Sequence, residues 1–207
     1  MRRESSTVVV LVGEVDDRLV AGLARSPNVS VARAPAAAAA ADQPAAAEPA
    51  ARPSWETGAL ALRAAARRRS AYVIVPEDPL ADVAAQWREM WGTPGGSRGA
   101  AGFEDRAAGA LAAWRGKQFE LPDYYLVMAP AQPGGTGPDL YLGPLRSARP
   151  RRVAVAVADT PEAGVARLLD TLRSLESGPW WPPLDELIDG ARHFYEGGLV
   201  QTQAALA

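Results

Sequence analysis

Acidic side chains follow two valine-rich runs of the sequence, directly where each run ends. Glu14, Asp16 and Asp17 come after the first run, and Glu77 and Asp78 come after another. If both runs are parallel strands, their carboxyl ends meet at the edge where open α/β sheets bind ligands. Carboxylates clustered there could hold Mg²⁺ for phosphoryl chemistry. The competing hypothesis is that these residues cap the helices that follow, which is the commoner use of Asp at such junctions.

Two adjacent tryptophans, Trp180 and Trp181, lie between prolines in the stretch GPWWPPL. Prolines hold this stretch extended, and adjacent side chains of an extended segment point to opposite sides. One tryptophan can therefore enter the core, whereas the other needs different cover or stays exposed. Because tryptophan is frequent among interface hot spots, we expect the outward one to contact a protein partner, a second subunit or the rim of a ligand pocket. The alternative is that both pack against helices of the same chain.

Arginines form two groups that could contact phosphate or nucleic acid. One group is the run 67–69, and the other comprises Arg146, Arg149, Arg151 and Arg152. The net charge is −2, and arginine is the default cation, since 21 arginines accompany one lysine. That bias is typical of a GC-rich bacterial genome and weakens the signal. We therefore expect the second group to form an interface or ligand rim, and we do not expect nucleic acid as a partner.

Several kinds of catalytic centre are excluded by the residues that the sequence lacks. It contains no cysteine, which excludes disulfides, thiolate catalysis and cysteine-ligated metals, and its one histidine is His193. The one GxSxG match, GGSRG at 95–99, lies in a glycine-rich break that does not follow a predicted strand, so a hydrolase elbow is not predicted. No GxxxxGK[ST] or GxGxxG motif occurs, so a P-loop and a dinucleotide fingerprint are not predicted either.

The elements that must position these residues are buried strands in alternation with helices. Continuous apolar runs at 8–12, 71–75, 124–128 and 153–157 are typical of strands covered on both faces, and amphipathic helical patterns separate most of them. This alternation predicts a three-layer α/β/α sandwich with a mostly parallel sheet. The segment 124–157 could add antiparallel edge strands, including a short one at 140–142, because its connections are too short for a helical crossover.

The chain is expected to form a single α/β domain from residues 1–33 and 55–198. An Ala/Pro-rich segment at 34–54 interrupts it and predicts a flexible loop or linker, and residues 199–207 are expected to be a frayed tail. The first apolar run spans only five residues before Gly13, too few for a signal peptide or a membrane span, so a cytoplasmic location without membrane contact is expected.

These patterns favour a non-catalytic cytoplasmic binding or assembly protein that uses an aromatic and arginine-bearing surface. A protein partner or self-association is the expected interaction, and no cofactor is expected. The alternative is a Mg²⁺-dependent phosphoryl-transfer enzyme, or a phosphate-binding regulatory domain, built on the five acidic residues at the strand ends.

Overall fold

The computed structural model of the chain describes residues 6–13, 15–35, 52–92, 97–129, 139–157 and 161–206. In this part of the chain, five parallel strands form one sheet in the order β2-β3-β1-β4-β5. The strands are β1 (Thr7–Gly13), β2 (Val29–Val31), β3 (Tyr72–Val75), β4 (Tyr124–Ala129) and β5 (Val153–Val157). β1 lies at the centre of the sheet, and its residues 9–12 are apolar and buried, as a strand covered on both faces requires.

Helices cover both faces of this sheet. One layer holds α1 (Asp17–Ala24) and α6 (Pro161–Arg173). The other holds α2 (Ser54–Ala65), α3 (Ala81–Gly92), α4 (Ser97–Arg115), the short helix α5 (Arg146–Ala148) and α7 (Leu184–Leu206). Successive residues of a strand face opposite sides. Accordingly, Val9 packs with the α1 and α6 layer, whereas Val10 packs with the larger layer, and both are fully buried. The predicted three-layer sandwich is confirmed.

The segment 124–157 contributes two parallel strands and no antiparallel strand among its described residues. Residues 125–129 of β4 pair in parallel with 153–157 of β5. Before β5 the chain forms a π-helical turn (Tyr141–Leu145), α5 and a 3-10 turn (Pro150–Arg152). The described part of this crossover, residues 139–152, therefore contains short helical turns and no long helix.

The strand predicted at 140–142 is wrong, because this part of the chain is helical. Asp139 starts the turn, since its carboxylate accepts from the Tyr141 N–H at 2.8 Å and its carbonyl accepts from the Gly143 N–H at 2.8 Å. Pro144 lies within the turn and has no N–H to donate to a strand ladder. Three apolar residues are too few for their pattern to distinguish a strand from a helical turn.

The predicted tail and the Ala/Pro-rich segment have different outcomes. α7 continues to Leu206, so residues 199–206 are helical, and the expected fraying of this tail stays a prediction. Most of the Ala/Pro-rich segment, residues 36–51, lies outside the described residues. None of the helices in the described ranges has the length and apolar character needed to cross a bilayer.

Candidate functional site

Among the described residues at the carboxyl edge of the sheet, Asp78 has a buried carboxylate. It accepts hydrogen bonds from the Leu80 N–H, at 3.0 Å, and from the Tyr141 hydroxyl. Burial raises the pKa of Asp78 to about 6, and the hydrogen bond from Tyr141 only partly opposes this rise. Burial and the nearby Asp78 carboxylate in turn raise the pKa values of Tyr141 and Tyr125. The Tyr125 hydroxyl is buried close to the same carboxylate.

Two other acidic residues of the predicted magnesium set, Asp16 and Asp17, have partners other than Asp78. Asp16 caps α1, accepting from the Leu19 N–H at 2.7 Å, so the capping hypothesis is confirmed for this residue. Asp17 is exposed and pairs with Arg33 at 2.9 Å.

Glu77 and Glu14 complete the predicted magnesium set. Glu77 is half-buried, its Oε2 has no hydrogen-bond partner among the described residues, and burial raises its pKa. Glu14 lies outside the described residues. Within the described ranges no three acidic or histidine side chains are grouped to hold a metal ion. Magnesium binding by the full set stays a prediction.

The two tryptophans of GPWWPPL point to opposite sides, as predicted. Trp181 is 5% exposed, and its indole N–H donates to the Pro122 carbonyl at 2.7 Å. Its ring also packs against Tyr125, with 5.7 Å between ring centroids. Trp180 is 43% exposed. The inner ring therefore belongs to the core, and the outer ring is available for contact.

Arg152 holds this segment from beneath. Its guanidinium is buried and donates to the carbonyls of Gly178 at 2.7 Å, Pro179 at 3.0 Å and Asp123 at 3.2 Å. The same group lies 4.9 Å from the ring centroid of Trp180. The planar guanidinium has five N–H donors and can bind three carbonyls at once, whereas a lysine ammonium would not match this geometry.

The neighbouring arginines differ in how far they are engaged. Arg149 donates to the Trp180 carbonyl at 2.6 Å, and Arg151 pairs with Glu176 at 3.1 Å. Arg146 is exposed and makes no hydrogen bond or ion pair with a described residue through its side chain. Two of the four predicted rim arginines, Arg149 and Arg152, therefore hold Trp180 or its segment in place. Sequence reasoning missed this role because backbone carbonyls leave no residue signature.

Trp180 lies at a cavity of about 1440 Å³ at the amino edge of the sheet. Its walls come from the start of β1, the end of α2, residues 117–123 and Trp180 itself. Part of the lining is apolar, including Leu62, Phe119 and Leu121. Five cationic side chains and two acidic ones also line it, which gives a net charge of +3. The cations are Arg63, Arg67, Arg68, Arg69 and Lys117.

Most of these cations are uncommitted. Arg63 donates to the Gln118 carbonyl at 2.8 Å. The side chains of residues 67–69 and of Lys117 are exposed, and none forms an ion pair with a described residue. Of the two acids, Asp123 accepts from the Val8 N–H at 2.8 Å. The cavity therefore carries positive charge that the described residues do not neutralise.

Lys117 is held in an unusual backbone conformation at this cavity. Its φ is 56°, in the left-handed region that favours glycine. Here the chain leaves α4, with the Gln118 N–H bonded to the Ala113 carbonyl at 3.0 Å. Glycine is the usual residue at such a position after a helix. The chain instead places its single lysine there, at some cost in backbone strain.

Sequence reasoning found parts of this site but not the site itself. It singled out Trp180 and the arginine run 67–69, which the fold brings to one cavity. It missed Arg63, Lys117 and Phe119, since they lie on separate segments and share no local pattern.

Searches among protein-family models, curated proteins and solved structures found no match for this chain. The class of this protein is therefore described by its own fold and cavity. It is a parallel α/β sandwich with a basic cavity, and an exposed tryptophan lies at that cavity.

Proposed function

We propose that this chain is a cytoplasmic, non-catalytic binding protein that takes an anionic ligand in the cavity beside Trp180. One observation carries the proposal: an exposed indole and four uncommitted cations line the same cavity. An anion that binds there has no existing ion pair with a described residue to displace.

Trp180 is positioned before any ligand arrives. Arg149 holds its carbonyl, and the Arg152 guanidinium lies against its ring. A side chain already fixed in place loses less entropy on binding, which favours affinity. Arg152 is itself bonded to three carbonyls, so the support for the ring is rigid.

Titration with inorganic triphosphate at low salt tests the proposal. We expect binding by calorimetry, with affinity falling as salt rises because exposed charges are screened. The triple variant Arg67→Gln/Arg68→Gln/Arg69→Gln should lose it. A charge-matched control, Arg18→Gln/Arg106→Gln/Arg167→Gln, changes exposed arginines outside the cavity and should bind as the wild type does. Equal binding by both triple variants, or none by the wild type, contradicts the proposal.

Assembly through Trp180 is the second candidate, favoured by its 43% exposure. On this hypothesis a protein partner or a second copy covers the ring. Light scattering should then show that Trp180→Ala reduces the molecular mass of an oligomer, while Phe194→Ala, which alters another exposed aromatic, does not. Trp181→Ala should instead lower the melting temperature, because it empties a core position. If both tryptophan variants lose only stability, assembly through Trp180 is refuted.

A further inference from the structure

The cavity beside Trp180 combines two kinds of contact that one ligand would have to match. The first is cationic: three consecutive arginines follow α2, and Lys117 follows α4, so positive charge comes from two different walls. Arginine presents its donors in a fork that fits phosphate oxygens, and lysine adds a point charge. Several phosphates in a row would match this spread of cations better than one carboxylate does.

The second contact is a flat aromatic ring. Trp180 has Arg152 4.9 Å from its ring centroid, and 43% of the residue remains exposed. A rigidly held indole is a platform on which a nucleobase can stack, whatever the base. The apolar side chains of Leu62 and Phe119 extend the lining and can cover the less polar part of a ligand.

We propose that this cavity binds a nucleotide, with the base stacked on Trp180 and the phosphates bound by Arg67–Arg69 and Lys117. The inference rests on the proposed function and names its ligand class. Small-molecule pockets are commonly about 300–1,000 Å³. At about 1440 Å³ the cavity is large enough for a nucleoside polyphosphate. Binding of phosphate by its ammonium group would then explain why a lysine rather than a glycine occupies the strained position 117.

The test compares ATP with inorganic triphosphate, both in EDTA so that no metal contributes. The wild type should bind ATP at least about fivefold more tightly, since stacking one base on an aromatic ring contributes about 1 kcal/mol or more. Trp180→Ala should remove that ratio, because it weakens the binding of ATP more than the binding of triphosphate. Trp180→Phe keeps a flat ring and should retain part of the ratio. The Gln triple variant of residues 67–69 should weaken both ligands. Circular dichroism should confirm that each variant is folded.

The outcomes separate this inference from the function on which it rests. If ATP and triphosphate bind equally, or if Trp180→Ala keeps the ratio, the nucleotide is refuted and anion binding stands. If neither binds, both fail. Tighter binding of an oligothymidylate than of ATP, with a steep salt dependence, would replace the nucleotide by single-stranded nucleic acid. Tighter binding of polyglutamate would replace it by an acidic peptide.

Discussion

Replacing Asp78 by Asn should stabilise the protein at neutral pH and flatten its stability profile. Asp78 is a buried carboxylate whose pKa is raised to about 6 from 3.8, mainly by desolvation. Because the folded pKa lies above the unfolded one, the protonated form is favoured in the folded state. Protonated Asp78 therefore contributes to the free energy of unfolding. This contribution is fully present below about pH 4 and is lost as the pH rises through 6.

The size of the effect follows from the shift. About 2 pKa units at 1.36 kcal/mol each give about 3 kcal/mol of unfolding free energy lost between pH 4 and pH 7. An Asn side chain at this position can still accept from the Leu80 N–H, and its amide can donate to the Tyr141 oxygen. The Asp78→Asn variant should therefore resemble the wild type near pH 4 and exceed it by roughly 3 kcal/mol at pH 7.

Urea unfolding at pH 4, 5, 6 and 7 measures this difference. Glu77 also has a raised pKa, so it lowers the free energy of unfolding of both proteins as the pH rises. The variant is therefore compared with the wild type by the difference in unfolding free energy at each pH. Asp16→Asn is the control, since Asn caps a helix as Asp does and the residue is exposed. The reasoning is refuted if Asp78→Asn follows the wild-type profile, or if it is the less stable protein at pH 7.

Two further changes test the packing around the site and at the end of β1. Arg152→Met should lower the unfolding free energy by about 2 kcal/mol or more in urea unfolding, because three carbonyls lose a donor. Arg146→Met, a control at an exposed arginine, should change it by less than about 0.5 kcal/mol. Similar losses in the two variants would contradict the role assigned to Arg152. Gly13→Ala should cost at least about 1–3 kcal/mol, since φ is 97° and a Cβ there would collide with the Met128 carbonyl oxygen. Gly109→Ala, with open space around it on α4, should instead be neutral or stabilising, and a tolerated alanine at position 13 would refute the strain argument.

The sequence predicted the layers of the fold because burial on both faces leaves a direct signature. Residues 9–12 of β1 are such a case, and the helices between the strands show a one-sided apolar pattern. The position of β1 between β3 and β4 had no such signature, because pairing of Thr7 with Tyr72 depends on residues far apart in the chain. Residues 140–142 were misassigned because three apolar residues do not reveal the hydrogen bonds to Asp139 that make this part of the chain helical.

The candidate site could be predicted only in pieces. The local geometry of GPWWPPL predicted that Trp180 and Trp181 point to opposite sides, but not which of them faces outward. Their role at an interface or ligand rim stays a prediction. The cavity was not predictable, since its walls come from segments as distant as Val8 and Trp180. Arg152 was expected at a rim, but its guanidinium is used inside the protein, where unpaired carbonyls compete for it more strongly than solvent does.

The central place of β1 has a consequence for synthesis of the chain. β1 precedes every other described strand, yet it pairs with β3, which begins at Tyr72, and with β4, which begins at Tyr124. At about 5–20 residues per second, its valines leave the ribosome several seconds before either neighbour exists. During that interval an uncharged β-branched stretch is free to associate with other nascent chains. We therefore expect translation speed and chaperone supply to govern the yield of native protein more than its equilibrium stability does.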